Sequence, residues 1–589
     1  MSIFNSIKGS KPKRSAFNLS HNYKMTGEMG VLYPIFCQDV VPGDTFKLNT
    51  EIFMRMLPMI APLMSRVRIY THYFFVPKRL LWNGWKEFIT GASQSKSRKD
   101  IDSFVPPSYP RFVIPTSEIF SEMGAGQAVV QSDVDHVGSR FLTGSLSDYL
   151  SFPVFDRLNS DNRSVYTASV VLDALPFRAY QLIWNEYYRD ENLQDPVDIM
   201  FDRDGFIHFG GDQISIIQKQ MDLRRRAWKK DYFTAALPFA QAGPDVTLPL
   251  TGLQNDEFQL YTDFLPGSRP EDPDIKMMQY IYGQGTGERE EGNYGLNAHG
   301  AQMRNDNSGN YLFLDVPRDG STGDSAIGVS NSQLKNLFSN IGSATINELR
   351  RAFAAQRFLE ATARGGSRYI EQLYSIFGVR SSDARLQRPE YLGGGVQDVV
   401  VSDVLQTSAT DNVTPQANQA GVGGSIGRTA SFKRWFEEHG YVIGIMSILP
   451  DASYQQGMPR QYMKFDRYDH YWPQFANLGE QDVRISELFY RPGDSTTFDD
   501  DITFGYNPRF SEYKYIPSTV HGDFRENLKF WHLGRIFDDM PGLNAEFIEA
   551  HPRKDVFAVT EENTHHFLFN IQHHLKAIRP MPYYGTPHL

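Results

Sequence analysis

Residues 46–55, FKLNTEIFMR, and residues 66–77, RVRIYTHYFFVP, decide how this chain is read. In the first run Phe46, Leu48, Ile52 and Met54 alternate with Lys47, Asn49, Glu51 and Arg55. Successive side chains of a strand point to opposite faces, so this is the pattern of a half-buried strand. Pro42-Gly43-Asp44 before it is a turn. In the second run Val67, Ile69, Thr71, Tyr73 and Phe75 alternate with Arg66, Arg68, Tyr70, His72 and Phe74, up to Pro77. Residues 31–76 are therefore read as β structure. The period then changes: Leu81, Trp85, Phe88 and Ile89 fall at helical spacing, and Gly91 closes a short helix.

β signals return near the other end, at residues 441–449, 555–560 and 567–578. In the last, Phe567, Phe569, Ile571, Leu575 and Ala577 alternate with more polar residues. The ending RPMPYYGTPHL is too rich in proline for an ordinary helix or central strand. Strands thus open and close the chain, with helices and long loops between. That order suits one β-barrel or sandwich with large insertions better than a row of domains. The expected plan is a basic N-terminal arm over residues 1–27 and a single domain over 28–589. Its insertions are a helix and loop region at 91–250, a glycine-punctuated segment at 251–340, a helical hairpin at 341–395 and a polar loop at 406–431.

Two helical stretches stand out. Phe177, Tyr180, Ile183, Trp184 and Tyr187 share one face within residues 173–190, with Pro176 near the first turn. A Trp/Tyr stripe of this kind reads first as core. In the hairpin, Thr345 and Glu348 fit a capping box, so a helix should start at Ile346. Ile346, Leu349, Ala352, Phe353, Leu359 and Ala363 lie on one arc, and Arg350, Arg351, Arg357 and Arg364 lie mostly off it. Gly365-Gly366 stops the helix. Ser367 is placed to cap a second one with a stripe of Ile370, Leu373, Tyr374 and Phe377, ended by Gly378. The hairpin carries no nucleophile, metal cluster or phosphate loop, so it reads as a packing and contact element.

The chain has 589 residues and a formal net charge of −10, which excludes a generally basic nucleic-acid binder. Cys37 is the only cysteine, so no intrachain disulfide forms, as expected of folding in a reducing cytoplasm. No window approaches 18 uninterrupted apolar residues, and the N-terminus lacks the apolar core of a secretory signal; no membrane insertion is expected. Positive charge is local. Lys8, Lys11, Lys13, Arg14 and Lys24 occupy the first segment without an acid among them. The run RRRAWKK holds Arg224, Arg225, Arg226, Lys229 and Lys230 around Trp228, followed by Tyr232 and Phe233. Cations interleaved with rings are what a single-strand binding surface combines. A charged exposed face with its rings turned inward gives the same string.

Catalytic motifs are weak. Gly423-Gly424-Ser425-Ile426-Gly427 matches G-x-S-x-G, but its polar flanks read as a flexible loop, not as the strand and helix of a nucleophile elbow. Gly283-Gln284-Gly285-Thr286-Gly287 has no helix pattern after it. His565, His566, His573 and His574 lack the spacing of a catalytic zinc motif and read as surface or interface histidines. Asp499-Asp500-Asp501 reads as an acidic turn. No acid, base and nucleophile converge, so an enzyme and a cofactor are not expected. A glycan-binding or glycan-hydrolysing β-sandwich is the alternative; a carboxylate pair at glycosidase spacing would favour it.

The order of certain blocks is familiar. They include VVPGDTF (residues 40–46), FFVPKRLLWNGWKEFITG (74–91), LPFRAYQLIWNEYYRDENLQDP (175–196) and DYFTAALPFAQAGPDVTLPL (231–250). They continue with INELRRAFAAQRFLEATARGGSRY through RLQRPEYLGGG, then EHGYVIGIMSILPDASYQQG (438–457), FANLGEQ (475–481), FGYNPRFSEYKYIPSTVHGDFR (504–525) and IRPMP (578–582). In this order they resemble the F-type major capsid proteins of microviruses, and most the gokushovirus branch. The resemblance implies a mainly β fold, the eight-stranded antiparallel viral jelly roll, with long helical and loop insertions. It implies sixty copies in a T=1 icosahedral virion around circular single-stranded DNA, assembled in the cytoplasm of a bacterial host. It also implies a small basic DNA-binding virion protein, a pilot protein and a host surface receptor as partners. Under that reading, Lys8, Lys11, Lys13, Arg14, Arg224, Arg225, Arg226, Trp228, Lys229 and Lys230 are candidates for DNA contact. Arg350, Arg351, Arg357, Arg388 and Tyr391 are candidates for subunit contact. Gly283, Tyr294, Asn297, Asn305 and Asn310, on the segment at the position of the family's outward insertion, are candidates for host attachment.

Overall fold

The computed structural model describes residues 13–91, 105–115, 140–154, 169–208, 214–243, 261–263, 302–305, 311–316, 325–330, 346–366, 368–405, 407, 419–490, 502–559, 561 and 564–584. The chain forms two compact units, Met1–Ala242 with Glu360–Leu589, and Gly243–Leu359. The first contains β1 (Ser15–Asn18), β2 (His21–Gly27), β3 (Tyr33–Val40), β4 (Thr45–Met56) and β5 (Val67–Pro77), then the short β6 (Arg111–Ile114), β7 (Val170–Asp173) and β8 (Phe206–His208). The second contains β9 (Tyr261–Asp263), β10 (Gln302–Asn305), β11 (Tyr311–Val316) and β12 (Ser325–Ser330), an antiparallel sheet in the order β10-β11-β12-β9. Back in the first unit come β13 (Glu390–Asp398), β14 (Val400–Leu405), β15 (Gln419–Trp435), β16 (Gly440–Pro450), β17 (Glu480–Arg484), β18 (Thr503–Pro508) and β19 (Phe567–Arg579).

Two antiparallel sheets dominate the first unit. One runs β1-β19-β4-β15-β14 with β2 also on β19; the other runs β13-β5-β16-β3. The chain passes from one sheet to the other between β2 and β3, β3 and β4, β4 and β5, β13 and β14, and β15 and β16. The alternation in β4 is realised: Phe46, Leu48, Ile52 and Met54 are buried and Lys47 and Arg55 exposed. Those four join Ile35, Val40, Val67, Ile69, Tyr73, Phe75, Val442, Met446, Ile448, Phe567, Ile571 and Leu575 in one core shared by both sheets. Each large apolar side chain so buried contributes about 1.5–3 kcal/mol.

The four-stranded sheet has a second core on its other face. Phe74, Val76, Tyr441, Ile443 and Ile445 pack there with Phe112, Leu172, Ile207 and the helix Leu175–Ile183. This is why β16 is apolar without alternation: all of it is buried, since both its faces are covered. It also explains Phe74, which sits on the polar parity of β5 yet is buried. The helix Leu175–Ile183 ends in a π turn, Trp184–Tyr188, and its Phe177, Tyr180, Ile183 and Trp184 are core residues, as the stripe predicts.

Several expectations need correction. Within the expected arm, Ser15–Asn18 and His21–Gly27 are strands, and both pair with β19. Residues 555–559 form no strand, and Phe557 there makes an isolated bridge to Met59; Thr560, the last residue of the expected strand, lies outside the described residues. The stretch expected as a loop up to Ser431 is strand from Gln419 onward, and the GGG after Tyr391 belongs to β13. Glycine removes the alternation that reveals a strand, but here it allows close approach. A Cβ on Gly395 would lie 1.2 Å from the Thr429 carbonyl oxygen, and one on Gly423 2.2 Å from Met56 Sδ. Thus β13 of one sheet is pressed onto β15 of the other at a point only glycine fits.

His566 and His573 are not surface residues; both are fully buried. His573 of β19 joins the two sheets. Its Nε2 donates to the Ile35 carbonyl at 2.9 Å, while Nδ1 lies 3.1 Å from Thr50 Oγ1, itself 2.6 Å from the Tyr73 hydroxyl. His566 is held against the Glu28 carboxylate at 2.6 Å, with its other ring nitrogen 2.9 Å from the Val559 carbonyl.

Candidate assembly and nucleic-acid surfaces

The cationic run 224–230 is a strap, not a free surface. Its backbone is tied on both sides: Leu32 N–H donates to the Arg224 carbonyl, Arg226 N–H to that of Gly30, and Ala550 N–H to that of Arg226. Arg224 Nε donates to Gln181 Oε1 at 2.8 Å and its guanidinium lies 5.1 Å from the Trp184 ring centre. Arg225 donates to the Ala550 carbonyl at 3.0 Å; Arg226 donates to Ser447 Oγ at 2.9 Å and covers Tyr70 at 4.1 Å. Burial pulls the pKa of all three below the ordinary guanidinium value. Trp228 is buried against Leu449 and Ala550, under Arg535 at 5.2 Å, so its ring has no face to offer a base. Tyr232 and Phe233 are core as well. The string of cations and rings therefore folds with its rings inward and its arginines spent on backbone carbonyls and ring faces. Lys229 and Lys230 remain exposed, Lys230 paired with Asp190 at 2.5 Å. Lys13 and Arg14 are exposed just before β1, and Lys8 and Lys11 lie outside the described residues.

Two helices, Ile346–Gly365 and Tyr369–Phe377, occupy the stretch read as a hairpin. The first spans the boundary between the two units at Leu359. Gly366 and Gly378 hold φ of +97° and +67°, the left-handed conformation expected of the two stops. Thr345 and Ser367 lie outside the described residues, and the second helix is capped at Arg368. The apolar stripe of that helix is not fully buried: Ile370 and Leu373 are half-buried, Tyr374 and Phe377 are exposed, Phe377 to 71%, and Tyr369 beside the stripe is exposed as well. Arg350, Arg351 and Arg357 are exposed too. Arg364, by contrast, donates to the Glu480 carboxylate and the Ala235 carbonyl.

Arg388 is not available to another subunit in this structure. It is buried, 4.2 Å over the Tyr187 ring, with Asp383 at 3.5 Å and Glu186 at 3.8 Å. The π turn places the buried Trp184 against Arg224 and the half-buried Tyr187 against Arg388. Sequence reading missed these contacts because Arg224 lies 40 positions beyond Trp184 and Arg388 lies 201 beyond Tyr187. Tyr391 is half exposed, its ring 5.6 Å from Phe74.

Ser425 of the G-x-S-x-G motif sits inside β15, accepting from Gln397 Nε2 and donating to the Asp398 carbonyl, both at 2.6 Å. It has neither an elbow nor a base beside it. Asp499, Asp500 and Asp501, Gly283 to Gly287, and Gly283, Tyr294, Asn297 and Asn310 of the attachment candidates lie outside the described residues; Asn305 ends β10. Among the described residues no group of His, Cys, Asp or Glu could hold a metal ion, and no helix is long and apolar enough to cross a membrane.

The model of a family described as capsid protein (F protein) matches residues 5–134 and 157–589. Capsid protein VP1 of Chlamydia phage 1 is 33% identical, the match covering 100% of this chain and 97% of that protein. Capsid protein VP1 of Bdellovibrio phage phiMH2K is 32% identical over 98% and 95% of the two chains. Capsid protein VP1 of Spiroplasma virus 4 is 27% identical over 100% and 97%. A match of this extent, on a mainly β chain whose one nucleophile motif is strand interior, makes the chain a member of the F-protein capsid family of microviruses, structural and not enzymatic.

Proposed function

We propose that this chain is the major shell subunit of a small virion, sixty copies closing a T=1 icosahedron around circular single-stranded DNA. The full-length similarity to three phage capsid proteins carries the reading. Its two large sheets are the walls of a jelly roll, and the sheet order β3-β16-β5-β13, with the chain alternating between sheets, supports this. The barrel is widened relative to eight strands, because β1 and β2 add to β19.

The mechanism is association. A closed shell reuses a few surfaces of each copy around its symmetry axes. Exposed Tyr369, Tyr374 and Phe377, with Arg350, Arg351, Arg357 and Tyr391, are the kind of aromatic and arginine surface that subunit interfaces enrich. Lys13, Arg14, Lys229 and Lys230 contact DNA. With a net charge of −10, the subunit leaves much of the genome's charge to a small basic virion protein. Residues 251–340 face outward and meet a host receptor; a pilot protein accompanies the genome. Assembly takes place in the bacterial cytoplasm.

The test is direct. The chain expressed in bacteria should give uniform closed shells by negative-stain microscopy, and particles from infected cells should protect single-stranded DNA from nuclease. Dispersed monomers or small oligomers under all assembly conditions would sink the reading.

A further inference from the structure

The face of the six-stranded sheet turned away from the core, exposed among the described residues, carries a charge arrangement that folding alone does not account for. Lys47 of β4 is directly opposite Lys433 of β15 on one side and Lys576 of β19 on the other. Directly paired residues share a face with Cβ atoms about 5 Å apart, and like charges there repel. All three lysines are exposed, and none has an ion-pair partner among the described residues. Their chain neighbours Phe46, Leu48, Phe432, Leu575 and Ala577 are buried, so the ammonium groups point away from the core. One pleat along, Trp435 pairs with Thr45 on the same face and is 48% exposed. On the opposite side of the lysine row, Asn49 pairs with exposed His574 and Ser431. Farther along stand Phe53 and Arg55, the guanidinium 5.2 Å from the ring centre, and exposed Lys24 opposite Asn570. Glu51, the acid in this ladder, is already engaged by Arg428 at 2.6 Å and His574 at 3.7 Å. Exposed Lys13 and Arg14 enter at the Trp435 end, where Ser15 pairs with Arg579 next to Ile578 and Thr45.

We propose that this face, centred on Lys433, Lys47 and Lys576 with Trp435 beside them, is where the subunit holds single-stranded DNA. The inference rests on the reading that the shell encloses such DNA, and it moves the main contact away from the 224–230 strap. Three like charges in one cross-strand row are relieved by a polyanion lying along the row. The neighbouring indole offers the stacking surface that unpaired bases, unlike a duplex, can use. A cationic sheet face with an exposed ring fits DNA better than an acidic protein, which would use the charges but leave the ring idle.

The experiment uses the full chain and a fluorescent thirty-nucleotide oligo-dT, with anisotropy titrations over a range of salt. Lys47→Gln with Lys433→Gln and Lys576→Gln should weaken binding by at least about tenfold and lower the salt slope by about 2, since each phosphate contact with a single strand contributes about 0.7. Its melting temperature should stay equal to wild type or rise, because a repulsion is removed. Trp435→Ala should weaken binding by about fivefold or more at an unchanged slope. Lys229→Gln with Lys230→Gln should do less than the triple variant. If the triple variant does not fold, Lys47→Gln alone still tests the row, with a slope change of about 0.7. Wild-type affinity and slope in the folded lysine variants would overturn the proposal, as would equal binding of polyglutamate. Shell formation is scored separately. Lysine-dependent DNA binding by a chain that forms no shells keeps this site and removes the shell reading. Shells of the triple variant with a normal DNA content keep the shell reading and remove this site.

Discussion

His573 shows how much one residue carries here. It is fully buried, accepts at one ring nitrogen and donates at the other, and so is complete as a neutral imidazole. Burial lowers its pKa from 6.5 to about 4. The sign follows: below 6.5 the unfolded chain takes up a proton that the folded chain takes up only near 4. The contribution to stability is therefore complete above 6.5 and lost as pH falls toward 4, up to about 3 kcal/mol. His72, half-buried and lowered to about 4 by desolvation, acts with the same sign. Thermal unfolding of the isolated subunit should move to lower temperature between pH 7 and pH 4.5, and His573→Asn should flatten part of that dependence; an identical pH profile in the variant would refute the assignment. None of this was legible in the sequence. His573 and His574 are adjacent and chemically identical, and only the parity of β19 buries one and exposes the other.

At the scale of elements, the strands that the sequence revealed are those with one wet face or with a continuous apolar run. β4, β5, β16 and β19 announce themselves this way. β13 and β15 do not, because glycines stand where side chains would have shown the period. Their glycines mark sheet contact instead of loop. Gly395→Ala places a methyl 1.2 Å from the Thr429 carbonyl oxygen, whereas Gly424→Ala meets nothing closer than 3.5 Å. The first should cut the yield of soluble folded subunit severely, since backbone on both sides must shift; the second should express near wild-type level. Equal yields would mean that the two sheets tolerate separation there. The cationic strap teaches the converse. Its composition suggested a nucleic-acid surface, and the fold spends Arg224, Arg225, Arg226 and Trp228 on internal contacts. The lysine row, by contrast, is assembled from positions 47, 433 and 576, which no local reading joins.

At the scale of the whole molecule, the second unit, Gly243–Leu359, contains the glycine-punctuated segment assigned to host attachment. Replacing residues 283–330 with a short Gly/Ser linker should leave shells intact and lower adsorption to host cells. Unchanged adsorption by such particles would end the receptor assignment. What the sequence determined by itself was the class of the protein. Alternation in β4, β5 and β19 and an unbroken apolar β16 point to a β-rich chain, and the order of the family blocks points to a capsid subunit. Those signals are local or linear, so they survive without coordinates. The tertiary structure alone decided which charges are free. Burial and pairing depend on partners hundreds of positions away, and in a sheet a single step of register turns a cation toward solvent or away from it.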